Sequence, residues 1–205
     1  MPLQSIVPLP SGCLGVWKID EREEDLRSIA GDTLCRDVRD DVSLKRRLEK
    51  LAVRALLTSM LRYMRLENCG GIIYHDDGSP YMDNGPFVSI SHTDGYAAVI
   101  LSRDNEVGID IEVRSSRALK LVTRFESEGE FYTNSDSATL CWSAKESVFK
   151  RLGGKVSDFR GTMHIPPFFP LESGSLSVGL SYDGADDCCN VNYRVGDGFV
   201  LTWIC

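Results

Sequence analysis

The sequence predicts an α+β fold of two similar halves, each an antiparallel sheet packed on one long helix. Three observations point there. Ser43 to about Met64 is a long stretch with helical apolar periodicity. Phe87 to His92 and Tyr96 to Leu101 read as two strands around an Asp94-Gly95 turn. A second helix, Ala138 to Leu152, is followed by three more strand-like runs. Each half thus reads strand, helix, then strands, without a residue-level repeat.

In chain order, Cys13 to Ile19 is the first strand. The first long helix gathers Leu44, Leu48, Leu51, Ala52, Ala55 and Leu56 on one broad face. Arg46, Arg47, Lys50 and Arg54 share an arc of about 100° on the other side, since each residue turns the helix by about 100°. Such an arc is either a solvated basic face or a patch for phosphate, whose oxygens suit the forked guanidinium. The Phe-Val-Ser-Ile-Ser-His-Thr strand carries His92 to its end, where an imidazole among hydroxyls either meets a phosphate or caps the turn. A polar turn from Ser102 to Asn105 separates residues 1–105 from 106–205.

Next comes Val-Gly-Ile-Asp-Ile-Glu, from Val107 to Glu112. Period-two alternation puts Val107, Ile109 and Ile111 on one face of a strand and Asp110 and Glu112 on the other. Two carboxylates so placed repel each other and are best tolerated with a cation between them. An all-oxygen donor set suits a hard ion such as Mg²⁺, which usually shares its sphere with substrate phosphate. On the second helix Leu140, Ala144, Val148 and Leu152 make a core stripe. Trp142, Glu146 and Lys150 make another, about 200° away. That stripe is either a solvated Glu-Lys pair or, with Asp110 and Glu112, the source of a third carboxylate for one metal. Gly153-Gly154 stops the helix. Beyond Pro166-Pro167 lie the runs Leu176 to Leu180, Val191 to Tyr193 and Phe199 to Ile204.

Composition narrows the classes. A net charge of −7 argues against general nucleic-acid binding. No apolar run is long enough for a membrane span, and the first residues lack the pattern of a signal peptide. The seven cysteines are odd in number, include no Cys-x-x-Cys and have two adjacent members, which fits free thiols in a reducing cytoplasm.

Four segments in order, Gly-Ser-Pro at Gly78 to Pro80, Ser-Ile-Ser-His-Thr at Ser89 to Thr93, Val-Gly-Ile-Asp-Ile-Glu at Val107 to Glu112, and Trp-Ser-Ala-Lys-Glu-Ser followed by Lys150, resemble the 4′-phosphopantetheinyl transferase superfamily. They cover Gly78 to Gly154, over a third of the chain. The length resembles that of the larger class, in which one chain holds two similar halves as an intramolecular pseudo-dimer and works as a monomer. The resemblance implies transfer of the 4′-phosphopantetheine arm of coenzyme A to a serine of an acyl or peptidyl carrier protein, with release of 3′,5′-ADP. It implies Mg²⁺ or Mn²⁺ held by Asp110, Glu112 and Glu146. Glu146 would also take the serine proton, directly or through water, and Lys150 would neutralise or protonate the leaving phosphate. Ser91 and His92 would meet the 3′-phosphate, Gly78 and Pro80 would line the adenine pocket, and Arg54 or Arg47 would hold the 3′-phosphate.

Ser79 departs from the pattern, since many members carry Lys or Arg there; Arg46, Arg47 or Lys50 would have to supply the charge. Carrier proteins are usually acidic, so a locally basic and apolar docking surface is expected, and Arg117, Lys120 and Arg124 with Leu119 and Val122 are its candidate. Two other readings stay open: another Mg²⁺-dependent enzyme that cleaves a pyrophosphate, and a carrier-binding homologue with weak or lost catalysis. The first lacks a Gly-x-x-x-x-Gly-Lys-Ser/Thr phosphate loop, and the second is opposed by the presence of all three acids and Lys150.

Overall fold

Two antiparallel sheets, each with one long helix laid against it, organise the protein in a computed structural model that describes residues 3–205 apart from 37, 40, 131, 133 and 157. The chain divides into two compact units, Met1–Val107 with Cys205, and Gly108–Ile204.

The first unit opens with β1 (Leu3–Leu9) and β2 (Gly12–Lys18), then α1 (Glu23–Ala30), α2 (Asp32–Cys35) and the long α3 (Leu44–Met64). A small hairpin follows, β3 (Ile72–Tyr74) with β4 (Pro80–Met82), and then β5 (Phe87–Thr93) and β6 (Tyr96–Ser102). The sheet runs β1-β2-β6-β5. The sequence reading has the first strand at Cys13 to Ile19 and passes over β1, which Pro8 disguises; Pro8 is tolerated because β1 lies at the sheet edge. Ser43 caps α3, its side chain accepting from the Arg46 amide. From Leu51 to Leu57 every residue of α3 is buried, because the sheet covers one side and α1 packs on another. The expected apolar face therefore holds at Leu51, Ala52, Ala55 and Leu56, while Leu44 is exposed. The four cations do not share one solvated face: Arg46 is exposed, Arg47 and Lys50 are half-buried, and Arg54 is 2% exposed.

The second unit starts at the acidic strand β7 (Gly108–Val113), continues through α4 (Arg117–Leu121) and a 3-10 turn (Val122–Arg124), and reaches the second long helix, α5 (Ser135–Arg151). After α6 (Phe159–Thr162) come β8 (Met163–His164), β9 (Ser173–Tyr182), β10 (Ala185–Val195) and β11 (Phe199–Ile204), in the sheet order β7-β11-β10-β9-β8. β9 and β10 run well past the apolar cores visible in the sequence; their ends are exposed Ser, Gly, Asp and Cys, which carry no alternation signal. Asp183 and Gly184 both take positive φ, 53° and 74°, in the two-residue turn that joins them. α5 begins at Ser135, earlier than the apolar pattern indicates, because Asn134 and Ser137 form a reciprocal capping box.

Two devices fix α5 on its sheet. A Cβ on Gly108 would lie 1.9 Å from the Ser147 carbonyl oxygen, so only glycine lets β7 come this close to the helix. On the neighbouring strand Thr202, which stands opposite Asp110, shares its hydroxyl with Ser143 and Ser147 at 2.9 and 2.7 Å. On its other flank the helix is tied by Lys145, which is fully buried. Its ammonium donates to Phe125 O, Ser127 Oγ and Glu130 Oε2 at 2.6, 3.0 and 2.9 Å. Glu130 also accepts from the Ser127 and Ile165 amides and the Tyr132 hydroxyl. Burial pushes Glu130 up, but Lys145 and these donors together hold its carboxyl below the usual range.

Gly108→Ala is expected to destabilise the protein by about 3 kcal/mol, as overpacking against rigid backbone does, read as a lower denaturant midpoint. Lys145→Met leaves Glu130 buried and without its cation, and a loss of about 3–5 kcal/mol in the same measurement is expected.

Candidate active site

The acidic strand and α5 present their polar side chains to one another. α5 is buried along most of its length, and Trp142, Glu146 and Lys150 form a half-open stripe on it. This is the stripe predicted opposite Leu140, Ala144 and Val148, all of which are buried. Val107, just before β7, and Ile109 and Ile111 on it are 4% exposed or less, and the other alternation set of β7 faces α5. Gly108 touches Ser147, Asp110 meets Lys150, and Glu112 meets Trp142. The strand and helix faces read from the sequence therefore come together within the second unit.

Lys150 donates to Asp110 Oδ1 at 2.7 Å and to Ile109 O at 3.0 Å. Trp142 Nε1 donates to Glu112 Oε1 at 2.9 Å. This contact explains why a tryptophan sits on a stripe with Glu and Lys: its indole packs on Phe125 and Phe159 and aims its one donor at a carboxylate. Glu146 is pushed up to about 7, first by burial and then by the charge of Asp110, with Lys150 opposing and Glu112 adding to the rise. Glu112 is raised too, by burial and by Asp110, against the relief of Trp142, Arg117 and Lys150. The charge of Asp110 thus disfavours that of Glu112 and of Glu146, and Lys150 offsets only part of the effect.

That donor set fits a hard divalent cation, which would relieve the repulsion directly. Among the described residues no three His, Cys, Asp or Glu side chains form a ready metal cage; Asp110 Oδ1 faces Lys150 and Glu112 Oε1 faces Trp142. Glu112 and Trp142 also line a small cavity of about 60 Å³ with Arg117, Leu121 and Thr139.

The nucleotide-side residues lie on the first unit. His92, at the end of β5, meets Glu49 and Arg46 of α3. Ser91 is buried beside it in the strand. Gly78 takes φ 84° in the turn between β3 and β4, and Pro80 begins β4. Ser79 is held by Asp77, to which its amide and hydroxyl both donate. Arg54 is buried, its guanidinium donating to the Tyr74 hydroxyl at 2.9 Å and lying over that ring. Arg47 turns to Glu23 and the Val42 carbonyl. Arg47, Arg54 and His92 therefore reach three different neighbours. Sequence reasoning missed Glu49, Tyr74 and the Lys145–Glu130 pair. The signal available for Lys145 was its place four residues after the buried Cys141.

The chain matches the 4′-phosphopantetheinyl transferase N-terminal domain over residues 38–102 and the 4′-phosphopantetheinyl transferase superfamily domain over residues 106–203. The chain belongs to the 4′-phosphopantetheinyl transferase superfamily. The two matches fall one on each sheet-and-helix half, the two-domain arrangement in a single chain. No curated protein matches the chain significantly. Within the superfamily domain lie Asp110, Glu112, Glu146 and Lys150; within the N-terminal domain lie Arg46, Arg47, Arg54, Gly78, Pro80, Ser91 and His92. No helix among the described residues of this transferase-family chain is long and apolar enough to cross a membrane.

Glu146 is protonated more readily in the folded protein than unfolded, so the stability it contributes is full below its ordinary value of 4.5 and is lost as pH rises through about 7. The thermal midpoint measured without divalent metal is expected to fall by a few degrees over that range, and Glu146→Gln to flatten most of the fall.

Proposed function

We propose that this chain is a holo-carrier-protein synthase. It transfers the 4′-phosphopantetheine arm of coenzyme A to a serine of an acyl or peptidyl carrier protein and releases 3′,5′-ADP. The observation that carries the reading is the meeting of Asp110, Glu112, Glu146 and Lys150 on one half-open face, in a chain of this superfamily.

Asp110, Glu112 and Glu146 would hold Mg²⁺ or Mn²⁺. When bound, the metal supplies charge neutralisation on the non-bridging oxygens of the pyrophosphate. The serine oxygen forms a bond to the β-phosphorus, and the bond from that phosphorus to the bridging oxygen breaks. Glu146 takes the serine proton, directly or through one water; its raised affinity for a proton suits that task near neutral pH. Lys150, tied to Asp110 here, is one salt bridge away from turning to the leaving phosphate. Its half-buried position makes that charge stronger than it would be in open solvent.

The nucleotide is assigned to His92 and Ser91 at its 3′-phosphate and to Gly78 and Pro80 at the adenine. Arg54 supports that region through Tyr74 of the hairpin, rather than by direct contact, because it is buried. Arg47, here turned to Glu23 and the Val42 carbonyl, would reach the phosphate by exchanging those partners. The carrier is assigned to α4 and the turn after it, where Arg117, Leu119, Lys120 and Arg124 are exposed beside the cavity at Glu112. That surface is basic and apolar, as an acidic partner requires.

Incubation of an apo carrier protein with coenzyme A and Mg²⁺ should add the mass of one phosphopantetheine per carrier. No gain across fatty-acid, polyketide and nonribosomal-peptide carriers would sink the reading. Asp110→Ala should lower the rate by at least about 10³-fold while leaving the fold intact, as loss of a metal ligand at the reacting phosphate does. Undiminished turnover in that variant would refute the metal assignment.

A further inference from the structure

Trp142 is the member of the acidic face to which the proposed reaction gives no task. It stands one turn before Glu146 on α5, and its Nε1 donates to Glu112 Oε1 at 2.9 Å. The indole is fixed from two sides. Phe125 and Phe159 pack on it with ring centroids at 5.4 and 5.7 Å, and Phe149 backs Phe159 at 5.6 Å. Phe125 is fully buried, and its carbonyl accepts from the sealed Lys145 ammonium. The indole donor is thereby held in one direction, towards the Glu112 end of β7. Glu112 Oε2 takes no hydrogen bond among the described residues.

This contact divides the labour of the two carboxylate oxygens. A carboxylate grips a cation through both oxygens only when both are turned to it. In Glu112 one is turned to the indole, so Oε2 is the oxygen the side chain offers on the half-open face. Ca²⁺ gathers many oxygens in a loose shell and commonly takes both from one carboxylate, whereas Mg²⁺ holds a tight octahedron with few protein carboxylates. Mn²⁺ suits the same octahedron of oxygens. A glutamate held to one oxygen therefore serves the smaller ions and withholds a contact from Ca²⁺. Hydrogen bonds behind a metal-ligating carboxylate change metal affinity by about tenfold or more when they are removed.

We propose that Trp142 is a positioning residue that confines Glu112 to one-oxygen ligation and so sets a preference for Mg²⁺ and Mn²⁺ over Ca²⁺. The proposal rests on the assignment of Asp110, Glu112 and Glu146 to the metal made above. Binding is measured on the full chain with coenzyme A and no carrier, against a protein-free titration. Mn²⁺ is followed by loss of the free-ion signal in electron paramagnetic resonance, and Mg²⁺ and Ca²⁺ by their competition with it. The wild type is compared with Trp142→Phe and with Trp142→benzothienylalanine, which keeps the shape and stacking of the indole but has sulfur in place of N–H. In both variants the ratio of the Ca²⁺ to the Mn²⁺ dissociation constant should fall about tenfold, while the ratio of Mg²⁺ to Mn²⁺ stays the same. Where Trp142→Phe does not fold, the benzothienyl chain decides. A role in packing alone weakens all three ions together in Trp142→Phe and leaves the benzothienyl chain like the wild type; either result overturns the proposal. So does a wild type that binds Ca²⁺ as tightly as Mn²⁺. A wild type that binds no Mn²⁺ overturns the proposal together with the metal assignment beneath it. The carrier mass assay on the wild type reports separately on the transferase reading: a gain in mass beside an unchanged ratio removes the role of Trp142 and leaves that reading standing.

Discussion

The close approach of α5 to β7 is the constraint on which the second unit depends. Helix and sheet usually keep their distance because side chains stand between them. Here Gly108 has none, and Ser143 and Ser147 meet Thr202 through hydroxyls rather than bulk. Backbone is thereby brought against backbone at Gly108, and the next residues outward on the same strand face, Asp110 and Glu112, fall beside Lys150 and Trp142. A larger residue at position 108 would displace the strand from the helix and open every distance in the site.

Two lysines on that helix show how burial decides what a charge does. Lys145 is sealed, with all three protons directed at Phe125, Ser127 and Glu130, and it serves the fold. Lys150, at the half-open end of the helix, has Asp110 as its carboxylate partner in a cluster of three acids. The first pair would be costly to disturb, because a buried charge left alone has no water to turn to. In the second pair solvent reaches Lys150 but Asp110 is buried, so the lysine can turn away only where another cation takes its place beside Asp110. The transfer proposed for this chain asks for the second kind, held in place by the first.

The acidic residues were legible because alternation and helical periodicity are local. Gly108, Asp110 and Glu112 on one strand face, and Trp142, Glu146 and Lys150 on one helix stripe, follow from counting alone. The basic arc of α3 was counted equally well, but it did not behave as one face. Arg54 lies in the stretch covered by both sheet and α1, Arg47 is turned by Glu23 from α1, and Arg46 keeps company with His92 from β5. Each of those neighbours is distant in sequence, and α1 itself was not read.

By itself the sequence determined the fold class, the family resemblance and the faces on which the acids lie, because each is a matter of spacing along the chain. Only the tertiary structure decided depth and partnership. It made Arg54 and Lys145 interior cations, gave Trp142 to Glu112 and Lys150 to Asp110, and set Glu49 behind His92. The physical reason is that charge, hydrogen bonding and proton affinity depend on what surrounds a side chain within a few ångströms. Those surroundings come from segments that only folding brings near.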